Sequence, residues 1–469
     1  MYRWLFCLLV LVCGSGAICA YGQGDSVTVR EIFIECHHKT REQIIRRELA
    51  LRAGSRIARA AIAETLEREN NKLFNTDLFV STDILYQENT PGQIDLIISL
   101  EEQWYLWAVP ILEIADQNFN VWWTQRDRSL DRLEYGINFK QKNFRGRNEN
   151  LTLHFQLGFT RKLVLDYQIP YISRRQRTGL GFNVTYTENT SAAYQTNDHF
   201  LDFIDTDEVI RRRFNFAVFA SKRFNFYASH HFRWVYSYNF IADTLARANA
   251  DYFLEGRTEQ RYFGLSYEFV HDLRDRAPYP LKGHLFRGSV EQLGFGIFND
   301  VNLLTLNAYL AFYHRLAPRI YLANGLATKV SLPERQPYFQ RQGLGYRERF
   351  VRGYDLFVID GQRYALSRNS IKWQAFSFVQ NLKSVPIIRR FRQFRKVPLA
   401  GYVKIYADGG YVYDSDPREI LRPASNRWLH SLGLGFDLVT YYNLVMRFEY
   451  SFANDPAAGG FFFNVRAGI

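Results

Sequence analysis

Side chains able to break bonds are scattered along this chain rather than gathered. Its ten histidines include two adjacent pairs, His37-His38 and His230-His231. Neighbours in an extended strand point to opposite faces, so neither pair offers two imidazoles to one ligand. No G-x-S-x-G elbow and no H-E-x-x-H pair occurs. Of the four cysteines, Cys7, Cys13 and Cys19 fall in an apolar N-terminal run, which leaves Cys36. One thiol forms neither an internal disulfide nor a thiolate metal cluster. No catalytic constellation, metal or cofactor is therefore expected. The chemistry that stands out is ion pairing within alternating segments. Between Tyr402 and Gly410, the residues Tyr402, Lys404, Tyr406 and Asp408 share one face, and Val403, Ile405 and Ala407 share the other. A carboxylate such as Asp408, held on an inward face, needs water or a partner, and a guanidinium offers two parallel hydrogen bonds. That is positioning chemistry.

The elements that must carry these residues are strands. The 469 residues include 39 Phe, 30 Tyr and 8 Trp, yet the mean hydropathy is only −0.27. A transmembrane barrel reconciles the two, because lipid-facing residues alternate with polar lumen-facing ones. From Trp104 onward the chain reads as about sixteen alternating segments of roughly ten residues, the length of a tilted membrane strand. Thr178 to Tyr186, Tyr262 to Phe269, Leu303 to Tyr313 and Ile320 to Val330 are clear examples. In the last segment Phe461, Phe463, Val465, Ala467 and Ile469 share a face opposite Asn464 and Arg466. Residues 1–22 read as a signal peptide, with Arg3 before an apolar stretch from Leu5 to Cys19 and a small-residue site at Ala20-Tyr21-Gly22. The net charge of +12 then points to anionic membrane surface or solvated loops rather than nucleic acid.

Residues 25–102 form a separate unit. Val27 to Glu35 alternates as a strand, with Val27, Val29, Glu31, Phe33 and Glu35 on one face and Ile32 and Ile34 on the other. Lys39 to Ala50 has helical spacing behind Thr40 as N-cap. Gly54 breaks it, and Ala58 to Phe74 is a second helix. Strands at Leu78 to Gln87 and Ile94 to Leu100 flank the breaker cluster Asn89-Thr90-Pro91-Gly92. The order is β-α-α-β-β, and it resembles a POTRA domain. Domains of that kind bind extended chains by adding a strand to a sheet edge; a passive spacer is the alternative.

Four constellations in the larger unit, residues 103–469, carry a further resemblance. They are Asn143-Phe144-Arg145-Gly146-Arg147-Asn148-Glu149, then Asp272-Leu273-Arg274-Asp275 with Pro280 and Gly283 in a tight turn, Val351-Arg352-Gly353-Tyr354 in the segment 331–363, and the strand that ends in Asp408-Gly409-Gly410. In this order, after a signal and a POTRA-like domain, they resemble the BamA/TamA family of outer-membrane assembly proteins. The resemblance implies a mainly β fold: a transmembrane antiparallel barrel of about sixteen strands behind one POTRA-like domain. It implies that 331–363 folds into the lumen and that Arg352 meets Asp408; alternatively Arg352 is solvated and Asp408 pairs with Lys404. It also implies a lateral gate where the first strand, carrying Pro110, faces the last, carrying Phe461, Phe463 and Ile469. Proline gives a ladder no N–H and is tolerated chiefly at edges; Pro110 at a strand end or bulge is the alternative. The implied role is non-enzymatic insertion of client proteins into the outer membrane, with the N-terminal domain in the periplasm. Partners would be unfolded outer-membrane or secreted chains, lipid, and periplasmic or lipoprotein factors. A dedicated secretion pore shares every one of these features.

Overall fold

The computed structural model describes residues 25–36, 39–114, 130, 133–173, 175–298, 300–346, 349–381, 396–415 and 424–466. The expected signal segment, His37, His38, Ala467 and Ile469 lie outside them.

The N-terminal unit runs β1 (Ser26–Cys36), α1 (Glu42–Glu48), β2 (Arg56–Ala58), α2 (Ile62–Phe74), β3 (Phe79–Thr90) and β4 (Gln93–Glu102). Its sheet order is β2-β1-β4-β3, with β1 parallel to β4 and the other pairs antiparallel. The extra short β2 lines the outer edge of β1. Both helices cover one sheet face, where Val27, Val29, Ile45, Leu66, Leu73, Ile94 and Ile98 form the core. The alternation read for β1 changes partway. Its register against β4 shifts between Val29 and Glu31, so Arg30 sits in a bulge. A bulge adds one residue and reverses the facing of the residues beyond it. Val27 and Val29 face the helices, but so does Ile32, and Phe33 on the opposite face is exposed. Both helices are shorter than expected. α1 has Arg41 as N-cap with no side-chain capping bond; the Thr40 hydroxyl instead donates to Glu102 and lies 3.1 Å from the Tyr105 hydroxyl. A 3-10 turn at Arg59–Ala61 takes up the start of the second helix.

The remaining strands form one sixteen-stranded antiparallel sheet with neighbours in chain order. They are β5 (Leu106–Ile114), β6 (Leu133–Phe144), β7 (Glu149–Gly158), β8 (Thr160–Ile169) and β9 (Thr178–Asn189), then β12 (Arg211–Arg223), β13 (Ala228–Ile241), β14 (Glu259–Asp272), β15 (Gly283–Leu293), β16 (Leu303–Ala317) and β17 (Ile320–Leu332), and last β20 (Arg363–Asn381), β21 (Lys396–Tyr413), β22 (Trp428–Val439), β23 (Val445–Ala453) and β24 (Gly460–Arg466). Two hairpins stand outside that sheet: β10 (Ser191–Asn197) with β11 (Phe200–Asp205), and β18 (Gln342–Leu344) with β19 (Ile359–Asp360). The period of two is preserved across strands. Leu165, Val184, Phe216, Tyr236 and Phe263 are cross-strand neighbours in one outward row. No helix among the described residues is long and apolar enough to cross a membrane; strands carry the apolar outer surface.

The N-terminal unit packs on one rim of the sheet, here the proximal rim. The β6–β7 turn shows how closely. Asn143, Arg145, Gly146 and Asn148 all have positive φ. The Asn143 side chain accepts from Asn148 N–H at 2.8 Å and donates to the Thr40 hydroxyl at 2.8 Å. The Arg41 N–H donates to the Gly146 carbonyl at 3.0 Å. Gly146 has φ +70, and a Cβ there would lie 1.9 Å from the Lys39 carbonyl oxygen. Gly146→Ala should therefore push the domain off the rim at a cost of about 1–3 kcal/mol, typical of overpacking. Limited proteolysis should then cut the 103–105 linker faster; an unchanged digestion rate would count against this contact.

Candidate functional site

The site is built from one loop and three inward strand faces. The loop between β17 and β20 turns back into the barrel and packs Val351, Tyr354, Phe357 and Ile359 against Tyr364, Leu366, Val412 and Leu429. Gly353 makes the approach possible. It has φ +96, and a Cβ on it would stand 2.9 Å from Ser451 Cβ on β23. The Tyr354 hydroxyl donates to Asn454 Oδ1 at 2.5 Å, which fixes the loop to the far end of β23.

These anchors place Arg352 among buried carboxylates. Its Nε and Nη2 donate to the two oxygens of Asp408 at 2.7 and 2.6 Å. Nη1 donates to Ser370 Oγ at 3.1 Å, and Nη2 also reaches the Asn369 carbonyl at 3.2 Å. Glu449 on β23 lies 3.6 Å from Nη1, and the guanidinium stacks 3.9 Å over the Tyr406 ring. The planar five-donor fork is thus used almost completely, which an ammonium could not match. Arg352, Asp408 and Glu449 are all buried, so each charge depends on the others for solvation. Lys404 does not pair with Asp408. Its Nζ lies 2.5 Å from Asp437 and 2.8 Å from Glu449. Arg368 Nε donates to the Phe350 carbonyl at 2.9 Å and steadies the loop just before Arg352.

Two other expected site features sit differently from the sequence expectation. Gly409 points outward, as alternation after Asp408 requires, with nothing nearer than 3.9 Å to an added Cβ. Gly410 is the glycine that faces the loop, where a Cβ would press within 2.6 Å of Val351. The segment from Asp272 to Gly283 is not a tight turn. Asp272 and Arg274 pair at 2.6 Å, Asp275 Oδ1 accepts from the Arg276 and Leu281 amides, and the ladder continues through Leu273 N–H to the His284 carbonyl. Residues 276–281 then rise into the lumen. Tyr279 is buried against Tyr402 with centroids 4.8 Å apart, and its hydroxyl donates to Asp437 at 2.8 Å. Pro280 is buried beside it, and Gly283 (φ +96) passes too close to the Leu273 carbonyl for any side chain. Sequence reading missed Glu449, Lys404–Asp437 and Tyr279. Alternation in β23 carried a signal for the first, since Arg447, Glu449 and Ser451 share the face opposite Phe448, Tyr450 and Phe452.

The two edge strands of the sheet meet the rest of it on one side only. Among the described residues β5 pairs with β6 alone and β24 with β23 alone. Pro110 lies mid-strand opposite Ile137, in unbroken register. Phe461, Phe463 and Val465 are exposed on the outer face, and Asn464 donates inward to Asp355 of the loop at 3.2 Å. On the proximal rim, Glu48 of α1 is buried and accepts from Arg223 at 2.8 Å. Burial, then that carboxylate, raises the nearby Tyr171 phenol above its ordinary range. No group of three or more metal-ligating side chains is gathered among the described residues.

Removing one member of a buried ion pair strands the other, at about 3–5 kcal/mol. Arg352→Ala should therefore lower the temperature at which the heat-modifiable band is lost on gels. Arg352→Ala/Asp408→Ala together should cost less than the sum of the single changes. Additive losses would mean the two side chains do not interact.

Comparison with known proteins bears on the fold. No curated protein matches the chain. BamA from Haemophilus ducreyi lacking POTRA domains 1–3 is 15% identical, with a TM-score of 0.53 over 93% of this chain and 84% of that one; it shares the fold. CdiB from Acinetobacter baumannii is 14% identical, with a TM-score of 0.46 over 94% of this chain and 73% of that one. CdiB from Escherichia coli is 10% identical, with a TM-score of 0.48 over 97% and 92%. Residues 143–371, which hold the proximal turns, Arg352 and the lumen loop, match the Omp85 superfamily domain.

Proposed function

We propose that this protein is an outer-membrane assembly factor that receives client chains at its N-terminal sheet and inserts them through the junction of β5 and β24. The observation that carries the reading is a barrel sheet with two edges that are singly paired among the described residues, one of them carrying Pro110. An unpaired edge facing lipid leaves N–H and C=O groups unsatisfied, and a client strand can satisfy them. The lumen loop supports the same reading. Arg352, Asp408 and Glu449 pin it against β21 and β23, close to β24, so the last strands have a firm inner backing. In the N-terminal domain, β3 is an edge strand and offers client chains a ladder to join. The barrel would sit in the outer membrane with the domain in the periplasm. None of these steps makes or breaks a covalent bond in the client. Bound partners would be unfolded barrel proteins, lipid and periplasmic or lipoprotein factors.

Depletion followed by quantitative outer-membrane proteomics tests the role. A broad fall in other β-barrel proteins is expected. Loss of a single secreted or surface protein, with other barrels intact, would identify a dedicated secretion pore instead. A disulfide engineered between β5 and β24 should abolish insertion of a model barrel into proteoliposomes and leave ion conductance in place; insertion through a locked junction would sink the lateral route.

A further inference from the structure

Two strands overrun the proximal rim. The turns between β12 and β13 and between β16 and β17 are short, as is usual on this side of a membrane barrel. β20 and β21 instead run on past their neighbours. β17 begins at Ile320, opposite Trp373, and β22 ends at Val439, opposite Ala400. Beyond those points, 376–381 and 396–399 pair only with each other among the described residues. They form a two-stranded ribbon about 17 Å long at the usual strand rise. An isolated ribbon of two strands is marginal in water, so this one needs a surface to lie on. Among the described residues no hydrogen bond or ion pair joins it to the N-terminal domain.

The outer face of the barrel continues onto this ribbon. Trp373 and Val403 are exposed opposite one another on that face. The register then shifts between Gln374 and Phe376, so Ala375 is an extra residue. Without the shift, Ala375, Ser377 and Val379 would face outward; with it, Phe376, Phe378 and Gln380 do, opposite Gly401, Leu399 and Val397. Gly401 leaves room for the first ring, since a Cβ there would lie 2.4 Å from Phe376 Cε1. The Phe376 ring is 5.7 Å from Phe378 and 6.4 Å from Phe436 on β22. The row runs on through Phe448 on β23 to Phe463 on β24, at 6.4 and 4.9 Å. Such a girdle belongs at the membrane–water interface. Charge points the same way. From Gly361 to Ala407 the sequence has no Asp or Glu, while Lys383, Arg389, Arg390, Arg392 and Arg395 fall within it. Beside the ribbon, the Arg319 carbonyl accepts from Gln374 N–H at 2.8 Å. Arg315, Leu316 and Arg319 of that turn are exposed, and neither arginine has a carboxylate partner among the described residues. An apolar tip between two long cationic side chains suits a surface that is oily below and charged above.

We infer that the β20–β21 ribbon is a membrane-surface arm: Phe376 and Phe378 lie in the interface of the leaflet on the side of the N-terminal domain, and Arg315 and Arg319 bind anionic lipid headgroups there. The row of rings favours lipid over an acidic protein as the occupant, because it has no break between wall and ribbon. The surface that meets lipid at Phe463 and Phe448 is the surface that carries Phe376 and Phe378. Cations beside rings at that depth stand among the phosphates, where each adds attraction to an anionic leaflet. The arm would set the height and tilt of the barrel in the bilayer, as interfacial anchors do. The inference rests on the barrel lying in a membrane and is independent of what the barrel inserts or secretes.

The test uses the full chain in lipid nanodiscs of phosphatidylcholine, with or without phosphatidylglycerol as a minor component. A single spin label is carried by a background whose four cysteines are replaced by serine. It is placed in turn at Gln380→Cys on the outward face of the ribbon, Ser377→Cys on the opposite face and Ile405→Cys on the outer wall. Collision with oxygen, relative to a water-soluble nickel chelate, reads the depth of each label. The Gln380 position should report lipid and the Ser377 position water, with a contrast several-fold larger when phosphatidylglycerol is present. Phe376→Ser/Phe378→Ser should return the Gln380 label to water. Both rings are exposed, so the barrel should still fold, which its heat-modifiable band checks. Arg315→Gln/Arg319→Gln should abolish the dependence on phosphatidylglycerol, and so should high salt. A Gln380 label that stays in water, or sits equally deep in the two lipids, would overturn the arm. Shielding from both reagents would mean that protein covers the ribbon and would overturn it equally. An Ile405 label in water would sink the membrane reading and the arm together, whereas lipid at Ile405 with water at Gln380 would sink the arm alone.

Discussion

A strand edge in hydrocarbon is costly, because each unpaired N–H and C=O loses water and gains no partner. A sheet in a membrane must therefore close on itself, and everything in this molecule bears on how closure is achieved at one place. Fourteen of the sixteen strands have two neighbours; β5 and β24 have one each among the described residues. Pro110 removes a donor from β5, and β24 spans seven of the described residues. The junction between them is where backbone bonding is weakest, so its geometry must be set by contacts other than a ladder.

Those contacts come from inside and from below. Inside, the lumen loop brings one guanidinium to Asp408 on β21 and Glu449 on β23, and Lys404 joins Glu449 to Asp437 on β22. These charges have little water, so the group is rigid as a set: each member is expensive without its neighbours. It holds β21, β22 and β23 as one block. From below, Tyr279 rises to Asp437, and the same turn meets Asn75, whose side-chain oxygen accepts from Ala277 N–H at 3.0 Å. The N-terminal domain is thus tied to the lumen cluster through a single loop. β5 and β6 form the opposite block, bound to the domain through Tyr105 and the Gly146 turn.

Much of this was legible in the residues, and the exceptions share a cause. Strand number and the inward face of β21 follow from period-two alternation, which is a local property. Arg352 and Asp408 were placed on facing surfaces by a motif together with that alternation. Errors arose where one extra residue or one distant contact overrode the local rule. The bulge at Arg30 reversed the facing of β1, and nothing in Val29-Arg30-Glu31 announces it. Arg30 is held there by Asp95, 65 positions away in sequence. Thr40 has the right chemistry for a helix cap, but Glu102 and Asn143 claim its hydroxyl first. Tyr279 looked like part of a turn because its partner, Asp437, lies 158 positions further on.

The same distinction separates strength from control. Interactions legible from local pattern, the ladders and the apolar outer rows, are many and hard to undo one at a time. The contacts that pattern could not reveal join distant parts of the chain, and several are single side chains at domain boundaries. The Asp77 carboxylate, 2.6 Å from Lys142 Nζ on β6 and accepting from Asn443 Nδ2 at 3.1 Å in the turn between β22 and β23, belongs to this second class. A barrel wall needs the first kind to survive in lipid. The second kind sets where the N-terminal domain and the lumen loop sit against that wall, because a ladder fixes only neighbouring strands, whereas a single buried or part-buried ion pair can join residues far apart in the chain.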